Sequence, residues 1–237
     1  MDYQDIYQTL ATAAVRGHAL RNPGCVLPEV LAEKALDRLT QAERTEILGL
    51  GKTWGVKLYR FKRGHETLPR VKQALGFLRG IRPVSLLDVG SGRGVFLFPF
   101  LEGFPQTDVI CLDLLEYRVA FLEDIRRGGI ERLHPIPADI CAQPLEDKSV
   151  DVVTMLEVLE HIPDVQAAVT AAARIARRYV VVTVPSTPDD NPEHIHLLTK
   201  QVLTELFGNA GCGRLHFSGV PGHLFLAAAV SQGDQNE

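Results

Sequence analysis

From Val84 onward, short apolar runs alternate with longer stretches in which apolar residues recur at helical spacing. The runs predict strands over 84–88, 108–112, 132–136, 150–155, 179–184, 214–218 and 223–229. The three-to-four-residue period predicts helices near 95–102, 115–127, 165–177 and 199–210. Strands and helices taken in turn build a parallel sheet. Gly219, Val220, Pro221 and Gly222 form a short turn between the last two strands, which makes that pair antiparallel. Pro99 falls early in its helix and predicts a kink.

Ahead of the first strand the pattern is helical throughout. A helix over 6–20 is stopped by Asn22, Pro23 and Gly24, and Pro28 opens a second over 29–39. Thr40 with Glu43 three residues on is a capping box that starts a third, running to about Leu48. Gly49, Gly51 and Gly55 then break the chain, and 69–78 is a fourth helix. The sequence thus divides into a helical cap over 1–82, an α/β domain over 83–230 and a loose tail over 231–237.

Of 237 residues, 46% are hydrophobic and 23% charged, enough apolar material to bury the core of one α/β domain with a modest extension. No apolar stretch reaches the 18 or so residues of a membrane span, and the first residues lack the basic start and apolar core of a signal peptide. Cys25, Cys111, Cys141 and Cys212 are scattered without a C-x-x-C pair, which fits small core residues in a reducing, cytoplasmic protein. The net charge of −4 conceals a split, +6 over 1–82 and −10 over 83–237. Lys52, Lys57, Arg60, Lys62, Arg63, Arg70 and Lys72 lie among Trp54, Tyr59 and Phe61. Such a cluster is either a face for an anionic substrate or nucleic acid, or a solvated face that docks on the acidic domain; the second reading is the simpler.

The chemistry concentrates at the end of the first strand. There Asp88 is followed by glycines at alternate positions, Gly90, Gly92 and Gly94. Glycine admits positive φ and lets backbone lie against a ligand. The dinucleotide fingerprint G-x-G-x-x-G is spaced differently, to set a pyrophosphate on a helix N-terminus. Asp113 follows the second strand about 20 residues later, where a carboxylate meets a ribose diol in folds of this kind, although it can equally cap the next helix. Asp139 stands after the third strand, where it can cap a turn before Pro144.

Together these residues resemble motif I and the following acids of the class I S-adenosylmethionine (SAM) methyltransferases, over about 84–230. The resemblance implies a Rossmann-like mixed sheet of seven strands in the order 3-2-1-4-5-7-6. It implies that Asp88 and the loop, with Ser91, hold the amino acid moiety of SAM. Asp113 would hold the ribose and Asp139 the adenine amino group, with Leu114, Ile140 and Leu156 in the same pocket.

After the fourth strand comes LEVLEHIPD, in which Glu157, Glu160 and His161 are spaced to share one face of a helical turn. After the fifth, His194 and His196 alternate and would point the same way in an extended segment. Two carboxylates and two imidazoles suit a divalent ion such as Mg²⁺, Mn²⁺, Fe²⁺ or Zn²⁺, which lowers the pKa of a bound hydroxyl. The set Glu157, Glu160, His161 and His194 resembles the metal-binding positions of the small-RNA 3′-terminal 2′-O-methyltransferases, and a similar stretch occurs in quinone-pathway O-methyltransferases. The stretch also resembles class I enzymes that need no metal, in which Glu157 and His161 line the transfer pocket. Without an ion, His161 is the leading general base, followed by His194 or His196, since imidazole titrates near neutral pH.

Three functions follow from the sequence. The first is SAM-dependent O-methylation of a small molecule, with Glu157, His161 and His194 as catalytic residues. The second is RNA methylation using the metal set, and the third is SAM binding without catalysis. The acceptor and the oligomeric state stay open.

Overall fold

The computed structural model describes residues 3–142, 145–188 and 190–231. Helices α1 (Gln8–Arg21), α2 (Glu29–Glu33), α3 (Gln41–Thr53) and α4 (Pro69–Ile81) precede β1 (Ser85–Val89). Then follow α5 (Leu97–Gly103), β2 (Asp108–Asp113), α6 (Glu116–Arg127), β3 (Leu133–Pro137) and β4 (Val150–Leu156). The chain closes with α7 (Val165–Ile175), β5 (Ala176–Pro185), α8 (Lys200–Asn209), β6 (Cys212–Val220) and β7 (His223–Val230). The seven strands form one sheet in the order β3-β2-β1-β4-β5-β7-β6. β7 is antiparallel to both β5 and β6, and the other neighbouring pairs are parallel.

Alternation along the strands divides the core into two layers. Leu86, Val109, Val152, Val181 and Phe225 face the front helices together with α5 and α6. Leu87, Leu112, Val153, Val182 and Leu226 face α7 and α8. The front segment therefore completes one face of the sheet. α1 runs against α6 with backbone touching backbone, and a Cβ on Gly17 would lie 1.8 Å from the Asp124 carbonyl oxygen. A Cβ on Gly128 would lie equally close to that of Ala13. Arg21 holds the buried Asp124 carboxylate through two hydrogen bonds of 2.8 and 2.7 Å.

Four local expectations change. The helix over 29–39 ends at Glu33, because Lys34 is extended, and a 3₁₀ turn, Leu36–Arg38, follows. Gly49 and Gly51 do not break α3, which continues to Thr53. A Cβ on Gly51 would meet Val15 Cγ2 at 2.3 Å, so glycine there lets α3 pack on α1, and Gly55 at φ +78° ends the run. Helix α7 stops at Ile175, and the strand begins at once with Arg177 bonded to Asp151. Pro99 is the third residue of α5, in the first turn, where helices tolerate proline.

The basic stretch of the front segment docks on the domain. Phe61 is fully buried and stacks on Phe98 at 5.0 Å, and Trp54 packs against the same core. Arg60 covers the Phe121 ring, and Arg63 pairs with Glu102. Tyr59 is left as the exposed aromatic of the group. Among the described residues no helix is long and apolar enough to cross a membrane. The tail, from residue 232 on, lies outside the described residues.

Candidate active site

Gly90, Gly92 and Gly94 all have positive φ, at 67°, 56° and 82°, but they serve different ends. A Cβ on Gly90 would press on Val158 at 2.7 Å, and one on Gly94 would enter the Phe98 ring at 2.5 Å. Those two are glycines for packing. A Cβ on Gly92 would meet nothing nearer than the Gly90 carbonyl oxygen at 3.5 Å, and Gly92 lines both cavities described below. Of the three, it is the one whose Cβ position stands clear of close protein contacts.

Two acids flank the loop. Asp113 ends β2 with its carboxylate buried, accepting hydrogen bonds from the N–H groups of Gly92 and Leu115, each at 3.0 Å. It thus ties the loop to the start of α6, and Arg118 Nη1 lies 3.4 Å from it. Asp88, on β1, is buried and accepts from Thr154 Oγ1 at 2.8 Å. Burial pushes Asp88 up to about 7, against the opposing hydrogen bonds of Ser91 and Thr154, and the charge of Asp113 adds to the rise.

Two cavities open on this loop. The larger, about 600 Å³, is lined by Gly92, Asp113, Leu114, Asp139, Ile140 and His161, among others. The smaller, about 150 Å³, is lined by Arg70, Asp88, Ser91, Arg93, Leu156 and others. Gly90, Gly92 and Glu157 belong to both and mark the junction. Asp139 Oδ1 accepts from the Cys141 N–H at 2.9 Å, so it closes a local turn while standing in the wall of the larger cavity.

The Glu157, Glu160, His161 group is not one helical turn. Only Leu159–His161 forms a 3₁₀ turn, and Glu157 lies before it at φ +59°, a left-handed conformation uncommon outside glycine. Its N–H donates to the Thr183 carbonyl at 2.9 Å, and its carboxylate accepts from Thr183 Oγ1 at 2.8 Å and meets His223 Nε2 at 2.9 Å. Arg70 stands 3.9 Å away. The carboxylate is thereby committed apart from Glu160. Glu160 is fully buried, and a carboxylate oxygen of it lies within 4.8 Å of ring nitrogens of His161 and His194, which themselves approach to the same distance. His161 and His194 meet edge to face at 4.8 Å between ring centres.

His194 and His196 make different contacts, and only the His194 ring meets His161. The N–H of His194 turns back to the Asn191 carbonyl, and the His196 ring bonds the Ile162 carbonyl at 3.1 Å. Nδ1 of His161 lies 2.9 Å from the Glu193 carbonyl. A carbonyl only accepts, so the neutral His161 ring keeps its lone pair on Nε2. The sequence reading passed over Arg70, Arg93, Arg118, Thr154 and His223. Arg70 was visible as a member of the basic cluster; His223 has no local signal, because its partner Glu157 is brought to it by strand order alone.

A family model described as a methyltransferase domain matches residues 87–182, from β1 through most of β5. The stretch it covers holds Asp88, the glycine loop, Asp113 and Glu157–His161. Over this stretch the chain matches a methyltransferase domain. Across 158 residues the chain is 27% identical to a ubiquinone biosynthesis O-methyltransferase of Cupriavidus pinatubonensis, covering 67% of this chain and 63% of that protein. Over 121 residues it is 28% identical to a malonyl-[acyl-carrier protein] O-methyltransferase of Methylococcus capsulatus, covering 48% and 44%. The chain spans less than two thirds of the length of these curated relatives. A SAM-dependent methyltransferase from Aquifex aeolicus shares the domain's fold with a TM-score of 0.58 at 20% identity, covering 70% of this chain and 93% of that one.

Proposed function

We propose that the protein transfers the methyl group of SAM to a hydroxyl oxygen of a small molecule. The observation that carries this reading is the junction at Gly90, Gly92 and Glu157. With the adenosyl end in the cavity of Asp113 and Asp139, and the amino acid end in that of Asp88, the sulfur falls between them, beside Glu157. The pocket fits the cofactor in its open Gly92, its buried acids and its two-part shape. SAM supplies an electrophilic methyl; the chain has to align an acceptor and receive its proton. Nε2 of His161, in the wall of the larger cavity, is the receiving atom. Transfer of radiolabelled methyl from SAM onto catechols or other hydroxylic compounds is the expected result. Labelling of RNA to the exclusion of every small hydroxylic compound would overturn the assignment.

Asp88 gives the cofactor a pH signature. In the free protein its carboxyl is half-protonated at about 7, whereas the ammonium of SAM favours the carboxylate. SAM affinity is expected to rise with pH to just above 7 and then level, being about tenfold weaker at pH 6 than at pH 8. Calorimetry in buffers of different ionisation enthalpy should show proton release near neutrality, and Asp88→Asn should abolish it. Affinity flat with pH in the wild type removes Asp88 from the ammonium site. For the free fold the sign is reversed. The folded carboxyl keeps a proton that the unfolded chain has lost above 3.8, so its contribution to stability falls between about 4 and 7.

The trio Glu160, His161 and His194 offers one oxygen and two nitrogens converging within 4.8 Å, a donor set suited to a divalent cation. These three residues would hold the ion, and Glu157 would not, given its bonds to Thr183 and His223. Such an ion would acidify an acceptor hydroxyl. Titration with Mg²⁺, Mn²⁺ and Zn²⁺ decides between this and His161 acting alone. With a metal centre, Glu160→Ala weakens binding by about tenfold or more. No binding, or binding indifferent to the substitution, leaves His161 as an unassisted base.

A further inference from the structure

Glu157 occupies a conformation that disfavours it, and residues from the far half of the sheet hold it there. Its backbone lies in the left-handed region, a conformation that persists only where surroundings enforce it. Thr183, on β5, is fully buried and grips both its N–H and its Oε1. His223, the first residue of β7, grips Oε2. The other ring nitrogen of His223 lies 3.1 Å from the Pro221 carbonyl, so each ring nitrogen has an acceptor beside it. His223 lines neither cavity of the cofactor site.

We infer that His223 is a positioning residue for methyl transfer: it aims the Glu157 carboxylate at the site of the sulfonium methyl. This rests on the reading of the junction given above. The arrangement is a brace running from the antiparallel strand β7 to the end of the parallel strand β4. Opposite charge at close range is an interaction that a neutral sulfur forfeits. A carboxylate held there attracts the sulfonium of SAM and releases the uncharged thioether product.

The test needs no acceptor. Sinefungin carries an amine where SAM carries its methyl, and S-adenosylhomocysteine carries nothing there. The wild-type protein is expected to bind sinefungin about tenfold more tightly than S-adenosylhomocysteine, the ratio of an ion pair of modest strength. Glu157→Gln should remove that preference. His223→Ala should reduce it to within about threefold while changing the affinity for S-adenosylhomocysteine by less than about twofold. His223→Gln, which retains a donor toward Glu157, should restore it. A preference that is unchanged or enlarged in His223→Ala overturns the inference, as does its absence from the wild type. Failure of both ligands to bind would instead condemn the cofactor assignment itself.

Discussion

Gly128→Ala is expected to lower the melting temperature by about 6–12 °C. The added Cβ has 1.8 Å between itself and the Ala13 carbonyl oxygen, and the obstacle is backbone, so no rotamer relieves it. Helix α1 must move off α6. Overpacking of this kind costs about 3 kcal/mol, and each kcal/mol is worth roughly 2–4 °C in a chain of this size. Gly17→Ala strikes the Asp124 carbonyl at the same interface and should have a similar effect. The double variant should lose less than the sum, because the first substitution already opens the gap that the second requires. Gly49 is the control: it lies inside α3 with nothing within 4 Å of a new Cβ, so Gly49→Ala should raise stability by up to about 1 kcal/mol. A Gly128→Ala protein that melts within about 2 °C of wild type would mean that α1 and α6 are not in backbone contact.

The second large effect concerns Gly92. At about 100 times its dissociation constant, SAM should stabilise the wild-type fold by about 2.7 kcal/mol, or roughly 5–11 °C. Gly92→Val should abolish that shift. A β-branched residue is a poor occupant of φ +56°, and its side chain would enter the space the two cavities share. Gly94→Ala tests a different property, since its Cβ strikes Phe98; it should lower the melting temperature of the free protein. A Gly92→Val protein that still responds fully to SAM would place the ligand elsewhere.

The sheet was legible because its signals are local and redundant. The run from Leu86 to Gly94 joins an apolar strand, an acid and alternating glycines, and the structure places that loop at the ends of β1 and β2. What escaped was set by contacts across the chain. Gly49 and Gly51 have low helix propensity, yet α3 passes through them, because Gly51 lets it close on Val15. The spacing of Glu157, Glu160 and His161 fits a helix, but the bonds of Thr183 and His223 pull Glu157 into another backbone well. The alternation of His194 and His196 presumed an extended segment, whereas a turn from Asn191 leads into His194 and the stretch that follows is in no strand. For α3 and for Glu157, partners distant in the sequence decided the local geometry.

The segment after β5 is fastened to the turn after β4 at three places. Ile195 donates its N–H to the Glu160 carbonyl at 3.0 Å, Glu193 offers its carbonyl to His161, and His196 reaches the Ile162 carbonyl. Glu193 and Ile195 lend this clasp only their backbones. Their side chains are therefore free to differ among descendants of this sequence without loosening it, and Glu193 stands in the wall of the larger cavity. A lineage can exchange what that wall shows to incoming molecules while its framework stays put, so new acceptor preferences are open to it at little cost in stability.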